Sequence, residues 1–214
     1  MNILITGSSS LLGRYLLSTA PTDYDICGTW YTRPASCPGP AYQMNVTDRS
    51  QVRYVFGLVK PDIVIHCAAD GSVDRAEEHY QEARAVNVGG VANVMAEARE
   101  YGAKVVYISS NAVYDGFHPP YNEDSPQRPI NNYGRLKNQA ETIVRDSPRW
   151  LIIRPFLLYG WPASGGRHNW ATMIIERLTQ YADAVPMVND VTWMPTYAGD
   201  CAAAIWRLLE VENQ

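Results

Sequence analysis

Asn2-Ile3-Leu4-Ile5-Thr6-Gly7-Ser8-Ser9-Ser10-Leu11-Leu12-Gly13 decides how the rest of the chain is read. The first five residues suit a buried strand. They pass directly into an apolar-periodic helix carrying Leu11, Leu12, Tyr15 and Leu16. Gly7, Ser10 and Gly13 follow the G-x-x-G-x-x-G spacing of a dinucleotide turn, with serine in the middle glycine's place. Glycine lets the backbone bend sharply and come close to a ligand. The helix behind it offers unpaired N–H groups and partial positive charge to a pyrophosphate. The same spacing also serves as a plain structural turn. Its place between a β run and a helix selects the nucleotide reading, with Gly7, Ser9, Ser10, Leu11, Leu12 and Gly13 as candidate cofactor contacts.

Outward from this turn, strands and helices alternate. Asp25–Tyr31 reads as a second strand, after which Pro34, Pro38, Gly39 and Pro40 enforce a loop. Asp48 caps a helix carrying Val52, Val55, Phe56 and Val59, and Asp62–Cys67 is a third strand. One long helical region is expected from Asp74 to about Tyr101. Gly89-Gly90 inside it signals close packing or ligand approach, because glycine weakens a helix. Lys104–Ser109 is a fourth strand, a Pro-rich loop runs from Asp115 to Pro129, and a helix covers about Ile130–Arg145. Trp150–Ile153 is a fifth strand. The strands show little period-two alternation, which predicts a parallel sheet covered on both faces, an α/β Rossmann-type doubly wound fold. Beyond Pro155 the pattern loosens into a helix at Trp170–Gln180, a short strand at Val185–Val188 and a last helix at Gly199–Glu210. The expected organisation is a nucleotide-binding domain over residues 1–155, completed by a helix at 197–210, with a small substrate lobe at 156–196.

Composition narrows the function classes. With 214 residues, 46% apolar and 19% charged, the chain has the makeup of a globular protein. Its net charge of −4 provides no basic field for nucleic acid. No apolar run reaches the length of a membrane span, and the N-terminus lacks the basic and apolar regions of a signal peptide. Cys27, Cys37, Cys67 and Cys201 are scattered without a C-x-x-C, so reduced thiols in a cytoplasmic protein are expected, with no metal site.

The chemistry is carried by Tyr133-Gly134-Arg135-Leu136-Lys137. Tyrosine and lysine four apart share one helix face, and a nearby ammonium is expected to lower the phenol pKa. Taken alone, the pair also fits a solvated face. Upstream, the fourth strand ends in Ser109-Ser110-Asn111, where a serine hydroxyl can hold a carbonyl oxygen that the tyrosine protonates. Strand-end capping is the plainer role for these serines. A nucleotide turn, a strand-end serine and Y-x-x-x-K in this order point to catalysis. At the end of the second strand, Thr29-Trp30-Tyr31-Thr32-Arg33 contains none of the acids that grip a ribose 2′-hydroxyl, and Arg33 suits a 2′-phosphate. NADP(H) is therefore expected over NAD(H), with Tyr31 and Arg33 beside the adenosine ribose.

Several segments carry a resemblance. These are Asp62–Ala69, Ala85-Val86-Asn87-Val88, Tyr107–Gly116, Asn132–Lys137, Arg154-Pro155 through Tyr159-Gly160, and Pro195-Thr196-Tyr197-Ala198-Gly199-Asp200. Together they resemble the extended short-chain dehydrogenase/reductase family, within it the dTDP-4-dehydrorhamnose reductase group that includes the regulatory β subunit of methionine adenosyltransferase. The resemblance implies Tyr133 as proton donor, Lys137 on the nicotinamide ribose and Ser110 on the substrate carbonyl. It places Ser10, Leu11 and Leu12 at the pyrophosphate, and Asn45 and Val46 at the adenine. Cys67, Ala68 and Ala69 fall at the nearer ribose, Pro155 in the cofactor site, and Asn87 in support from the long helix. Asn111 stands where the group has aspartate, and Leu157 where the rhamnose enzymes carry tryptophan; both are expected to face the substrate.

The activity implied is NADPH-dependent reduction of a nucleotide-linked 4-keto-6-deoxy sugar. A sugar-nucleotide epimerase and an NADP-binding regulatory subunit are the alternatives, while Asn111-Ala112 lacks the acid pair of a dehydratase. The chain stops soon after its last helix, where such relatives continue. A shortened lobe is therefore expected, with a mobile Trp161–His168 loop and exposed aromatic surface. A second copy of the chain, or a partner protein, would cover that surface.

Overall fold

Strand β1 (Asn2–Thr6) lies at the middle of the sheet, paired in parallel with β2 (Asp25–Trp30) on one side and β4 (Ile63–His66) on the other. A short edge strand, β3 (Ala41–Gln43), extends the β2 side. On the other side β5 (Lys104–Ile108) and β6 (Trp150–Ile153) complete the order β3-β2-β1-β4-β5-β6. All five pairings are parallel, so the order reverses between β1 and β4, the switch point at which doubly wound sheets bind ligands. The computed structural model describes residues 1–34, 36–163, 166, 168–180, 185–187, 189–190 and 192–211.

The continuous apolar character of the strands has a direct cause, for both faces of the sheet are covered. Ile3, Ile5, Ile26, Ile65, Val106 and Ile108 pack toward helix α1 (Leu11–Ser18) and helix α8 (Ala198–Val211). Leu4, Cys27, Val64, Val105 and Tyr107 face the opposite layer, which contains α2 (Arg49–Val59) and α5 (Val91–Tyr101). Ala140 and Val144 of α6 (Asn132–Arg145) also enter that layer. Helix α8 returns to the main layer, burying Ala202, Ile205, Trp206 and Leu209 beside Leu12 and Leu16 of α1.

The cap read from the sequence appears where expected: the Asp48 carboxylate accepts from the Ser50 and Gln51 amides at the start of α2. The structure adds a second, the Ser10 hydroxyl accepting from Gly13 N–H at the start of α1. Three expectations need correction. Strand β3 lies in what reads as loop, since a three-residue edge strand just after Pro38-Gly39-Pro40 leaves no periodic signal. The single long helix is instead α3 (Val73–Glu78), α4 (Tyr80–Arg84), a π-helical segment over Ala85–Gly90, and α5. A Cβ on Gly90 would stand 2.7 Å from Val46 Cγ2, so this glycine admits close packing against the segment after β3. In the C-terminal part, helix α7 (Trp170–Gln180) forms as expected, but Val185–Met187 make no strand and Val188 lies outside the described residues. The second sheet is a parallel pair, β7 (Leu158–Tyr159) with β8 (Thr196–Tyr197). The expected mobile loop falls partly on Ser164, Gly165 and Arg167, which are outside the described residues.

Candidate active site

Every candidate residue in the main sheet follows the C-terminal end of a parallel strand. Gly7 follows β1, Tyr31 and Arg33 follow β2, and Asn45 and Val46 follow β3. Cys67, Ala68 and Ala69 follow β4, Ser110 and Asn111 follow β5, and Pro155 follows β6. Six strands thus deliver the candidates to one edge of the sheet, on either side of the switch point.

The turn after β1 requires its glycines. Gly7 has a φ of +64°, and a Cβ there would lie 2.7 Å from the backbone of Ala68 at the end of β4. A Cβ on Gly13 would stand 2.6 Å from the Gly7 carbonyl oxygen. The first turn of α1 is thereby pressed against the strand ends. This cradle suits a pyrophosphate, with the amides of Leu11 and Leu12 heading the helix. The Leu12 side chain is buried in the core, so only its backbone faces that role. Ser9 is half-buried in the turn. Tyr31 and Arg33 are exposed beyond β2. Asn45 holds its own loop by accepting from Thr47 N–H at 3.0 Å, and Val46 is buried. Asn87 lies within the π segment, and both ends of its amide bind the Asp70 backbone at 2.9 Å. It therefore fixes the loop beyond Ala69. Asp70 is tied in turn to Arg75 at 2.8 Å.

Helix α6 brings the catalytic candidates to the same edge. The Asn131 side chain caps it by accepting from Gly134 N–H at 2.7 Å, and the Glu77 carboxylate accepts from the Asn132 amide at 2.8 Å. Tyr133 is half-buried and Lys137 is buried one turn further on. The Ser110 hydroxyl accepts from Ala112 N–H at 3.1 Å, which caps a 3₁₀ turn over Asn111–Val113. It also lies beside the Tyr133 phenol. Gly134 explains how closely helix and strand end approach, because a Cβ there would lie 2.1 Å from the Ala112 carbonyl oxygen. Gly134→Ala is accordingly expected to destabilise the fold by about 1–3 kcal/mol, the usual cost of overpacking. It should also lower any turnover by pushing Tyr133 from Ser110. A thermal melt unchanged from wild type would contradict this packing.

One electrostatic expectation is reversed. Burial holds the Tyr133 phenol above its usual pKa, the Ser110 hydroxyl pulls it down, and the Asp70 carboxylate pushes it up. The Lys137 Nζ meanwhile donates to the Ile108 carbonyl at 2.8 Å. The same ammonium stands 4.8 Å from the Tyr107 ring centroid but 6.0 Å from that of Tyr133. Burial pushes the Lys137 ammonium down to about 8. Beneath it, His66 stacks on Tyr107 with centroids 6.0 Å apart, its Nδ1 within 2.7 Å of Thr6 Oγ1. Burial, reinforced by Lys137, lowers His66 to about 3, so the imidazole is neutral near pH 7. Leu157 sits beyond β6, partly exposed and with a φ of +26°, a strained conformation for a non-glycine residue at a candidate substrate position.

Sequence reasoning passed over a buried polar centre on α6. Glu141 is fully buried one turn after Lys137. It gathers Ser109, Gln127, Arg145 and Arg154 around its carboxylate. The repeat Tyr133, Lys137, Glu141, four residues apart each time, is the signal that would have exposed it.

Comparisons with known proteins give the family. The family model described as RmlD substrate binding domain matches residues 1–214. Methionine adenosyltransferase 2 subunit beta of Danio rerio is 31% identical over 211 residues, 97% of this chain and 63% of that protein. The spore coat polysaccharide biosynthesis protein SpsK of Bacillus subtilis is 35% identical over 167 residues, 77% of this chain and 57% of that protein. The chain thus spans less than two thirds of the length of these relatives. Among solved structures, dTDP-4-dehydrorhamnose reductase from Bacillus anthracis, in complex with NADP, superposes with a TM-score of 0.85 at 31% identity. That match covers 97% of this chain and 70% of the reductase. A Thermus thermophilus UDP-glucose 4-epimerase shares the fold, with a TM-score of 0.86 at 21% identity. A family model that matches from the first residue to the last, over a parallel sheet with a glycine turn and a Tyr–Lys helix at one edge, places the chain in the RmlD substrate binding domain family of extended short-chain dehydrogenases/reductases.

Proposed function

We propose that the protein is an NADPH-dependent reductase of a nucleotide-linked 4-keto-6-deoxy sugar. The observation that carries this reading is the meeting of Ser110, Tyr133 and Lys137 at the sheet edge that also holds the Gly7–Gly13 turn. The glycine turn and the amides heading α1 would hold the pyrophosphate. Arg33 would hold the 2′-phosphate with Tyr31 alongside, and Asn45, Val46 and the Cys67–Ala69 segment would border the adenosine. NADPH, when bound, would supply a hydride, a hydrogen together with its electron pair, to the carbonyl carbon. Lys137 orients the nicotinamide ribose, Pro155 borders the ring, Ser110 holds the carbonyl oxygen, and Tyr133 gives that oxygen its proton, leaving a secondary alcohol. Asn111 and Leu157 would face the sugar from a lobe built of residues 156–196.

The test is oxidation of NADPH, followed at its absorbance, with a panel of dTDP-, UDP- and GDP-4-keto-6-deoxy sugars. Turnover with one of them supports the reading. Tight NADPH binding without turnover on any of them favours a regulatory subunit. That second reading draws on the similarity to methionine adenosyltransferase 2 subunit beta and on the exposure of Trp161, Trp193 and Met194, large apolar side chains of the kind that protein partners cover. Cofactor choice has its own test. Arg33→Ala should weaken NADPH about tenfold or more while leaving NADH within about twofold, given that a charge-assisted pair contributes about 1.5–3 kcal/mol. Equal affinity for the two cofactors in the wild type, unchanged by the substitution, would remove Arg33 from the site.

A further inference from the structure

We infer that Glu141 is a positioning residue that sets Ser110, Tyr133, Lys137 and Pro155 in register; the inference rests on the reductase reading for its kinetic arm only. Its Oε1 accepts from Ser109 Oγ at 2.5 Å and from Arg154 Nε at 3.0 Å. Its Oε2 accepts from Arg154 Nη2 at 2.9 Å, from Arg145 Nη2 at 2.6 Å and from Gln127 Nε2. Arg154 thus grips both oxygens side-on, and the acceptor capacity of the carboxylate is filled. The same guanidinium donates through Nη1 to the Tyr114 hydroxyl at 2.6 Å and to the Glu123 carbonyl at 3.2 Å.

Apart from Arg145, the last residue of α6, each partner stands next to a candidate catalytic or cofactor residue or on the loop between them. Ser109 precedes Ser110 at the end of β5, and Arg154 precedes Pro155 at the end of β6. Glu141 itself stands on α6, one and two turns beyond Lys137 and Tyr133. Tyr114, Glu123 and Gln127 belong to the loop that joins β5 to α6. One buried carboxylate therefore joins four segments whose relative placement sets the distance from Ser110 to Tyr133. A buried ion pair contributes little net stability over an apolar replacement of similar shape, so stability alone does not account for this cluster. Burial raises the Glu141 pKa, but the hydrogen bonds from Arg154, Ser109 and Gln127 outweigh it and keep the group a carboxylate. No proton is left there to donate, and the carboxylate's hydrogen bonds run to Ser109, Gln127, Arg145 and Arg154. It acts through its neighbours.

The test compares wild type, Glu141→Gln, Ser109→Ala and the double variant. Glu141→Gln should lower kcat about ten- to a hundredfold, with NADPH affinity and sugar KM within about threefold, as expected for a site held slightly out of place. Ser109→Ala removes one hydroxyl and leaves the Arg154 pair, so it should keep a near wild-type melting temperature while lowering kcat about three- to tenfold. The double variant should be no slower than Glu141→Gln, because both act along one path. Independently of turnover, amide exchange at Ser110–Tyr114 should speed up in Glu141→Gln while exchange in β1 stays unchanged. If Glu141→Gln does not fold, Ser109→Ala decides the kinetic arm and the exchange arm alike. Wild-type kcat in Ser109→Ala, additive losses in the double variant, or uniform acceleration of exchange across the sheet would overturn the inference. A wild type that never oxidises NADPH would overturn the reductase reading instead, and exchange at Ser110–Tyr114 would still decide the role of Glu141.

Discussion

Tyr133→Phe is expected to reduce turnover by about a hundred- to ten-thousand-fold while leaving NADPH binding within about threefold, the span that a lost general acid covers. The substitution removes one oxygen and keeps the ring, so packing around the buried face of α6 is preserved. Burial, the larger influence, keeps the phenol above its usual pKa, with Ser110 beside it to direct the proton. A phenol held protonated at neutral pH is the form needed to give a proton to a carbonyl oxygen. At neutral pH little of it is phenolate, the form that would take a proton back in the oxidising direction. Ser110→Ala should fall between wild type and Tyr133→Phe, since the carbonyl loses one donor and keeps its acid. Kinetics with a responsive keto-sugar, set against fluorescence titration of NADPH, separate the two effects. Retention of most of the activity by Tyr133→Phe would remove it as proton donor.

How much of this was legible in the chain depended on how local each cause was. The turn at Gly7 and Gly13 was legible because its physics lies within one strand, one turn and one helix, and the clashes a Cβ would meet come from those same residues and from Ala68. The cap at Asp48 was legible for the same reason. Strand β3 was not, because its pairing with β2 supplies what its three residues lack in periodicity. The break of the long helix into a π segment was half legible. Gly89-Gly90 announced close packing, but only the fold brings Val46 against Gly90.

The site divides in the same way. Tyr133 and Lys137 are placed on one face by helix geometry alone. Where the ammonium turns is set by Ile108 and Tyr107, which lie on a strand that no helix spacing reaches. The sequence therefore suggested that Lys137 acts on the phenol, and the fold directs it elsewhere. Glu141 stands four residues before Arg145, the spacing of an ordinary helix pair. Its burial comes from Ser109, 32 residues back, and from Arg154, 13 residues on.

Lys137→Met should separate activity from stability, and pH should separate them further. The side chain is buried, with its ammonium on the Ile108 carbonyl and over the Tyr107 ring. Burial brings its pKa down to about 8, whereas in the unfolded chain it returns to about 10.4. Below pH 8 both states carry the proton, and the folded state bears the full cost of a buried charge. Between these two values the unfolded chain binds more protons than the folded one, so wild-type stability rises with pH through that window. The rise amounts to about 3 kcal/mol if the whole shift is expressed. Lys137→Met has no such proton and should be at least as stable as wild type at pH 7, with no comparable gain on going to pH 10. Urea melts of the two proteins without cofactor at pH 7 and pH 10 measure this difference. Activity should move the opposite way. As Lys137 loses its charge above pH 8 the wild-type rate should fall, and Lys137→Met should already be slow and weak for NADPH at pH 7. Parallel stability curves for the two proteins across this range would show that the ammonium is not buried in the folded protein. Full activity in Lys137→Met would remove it from the site.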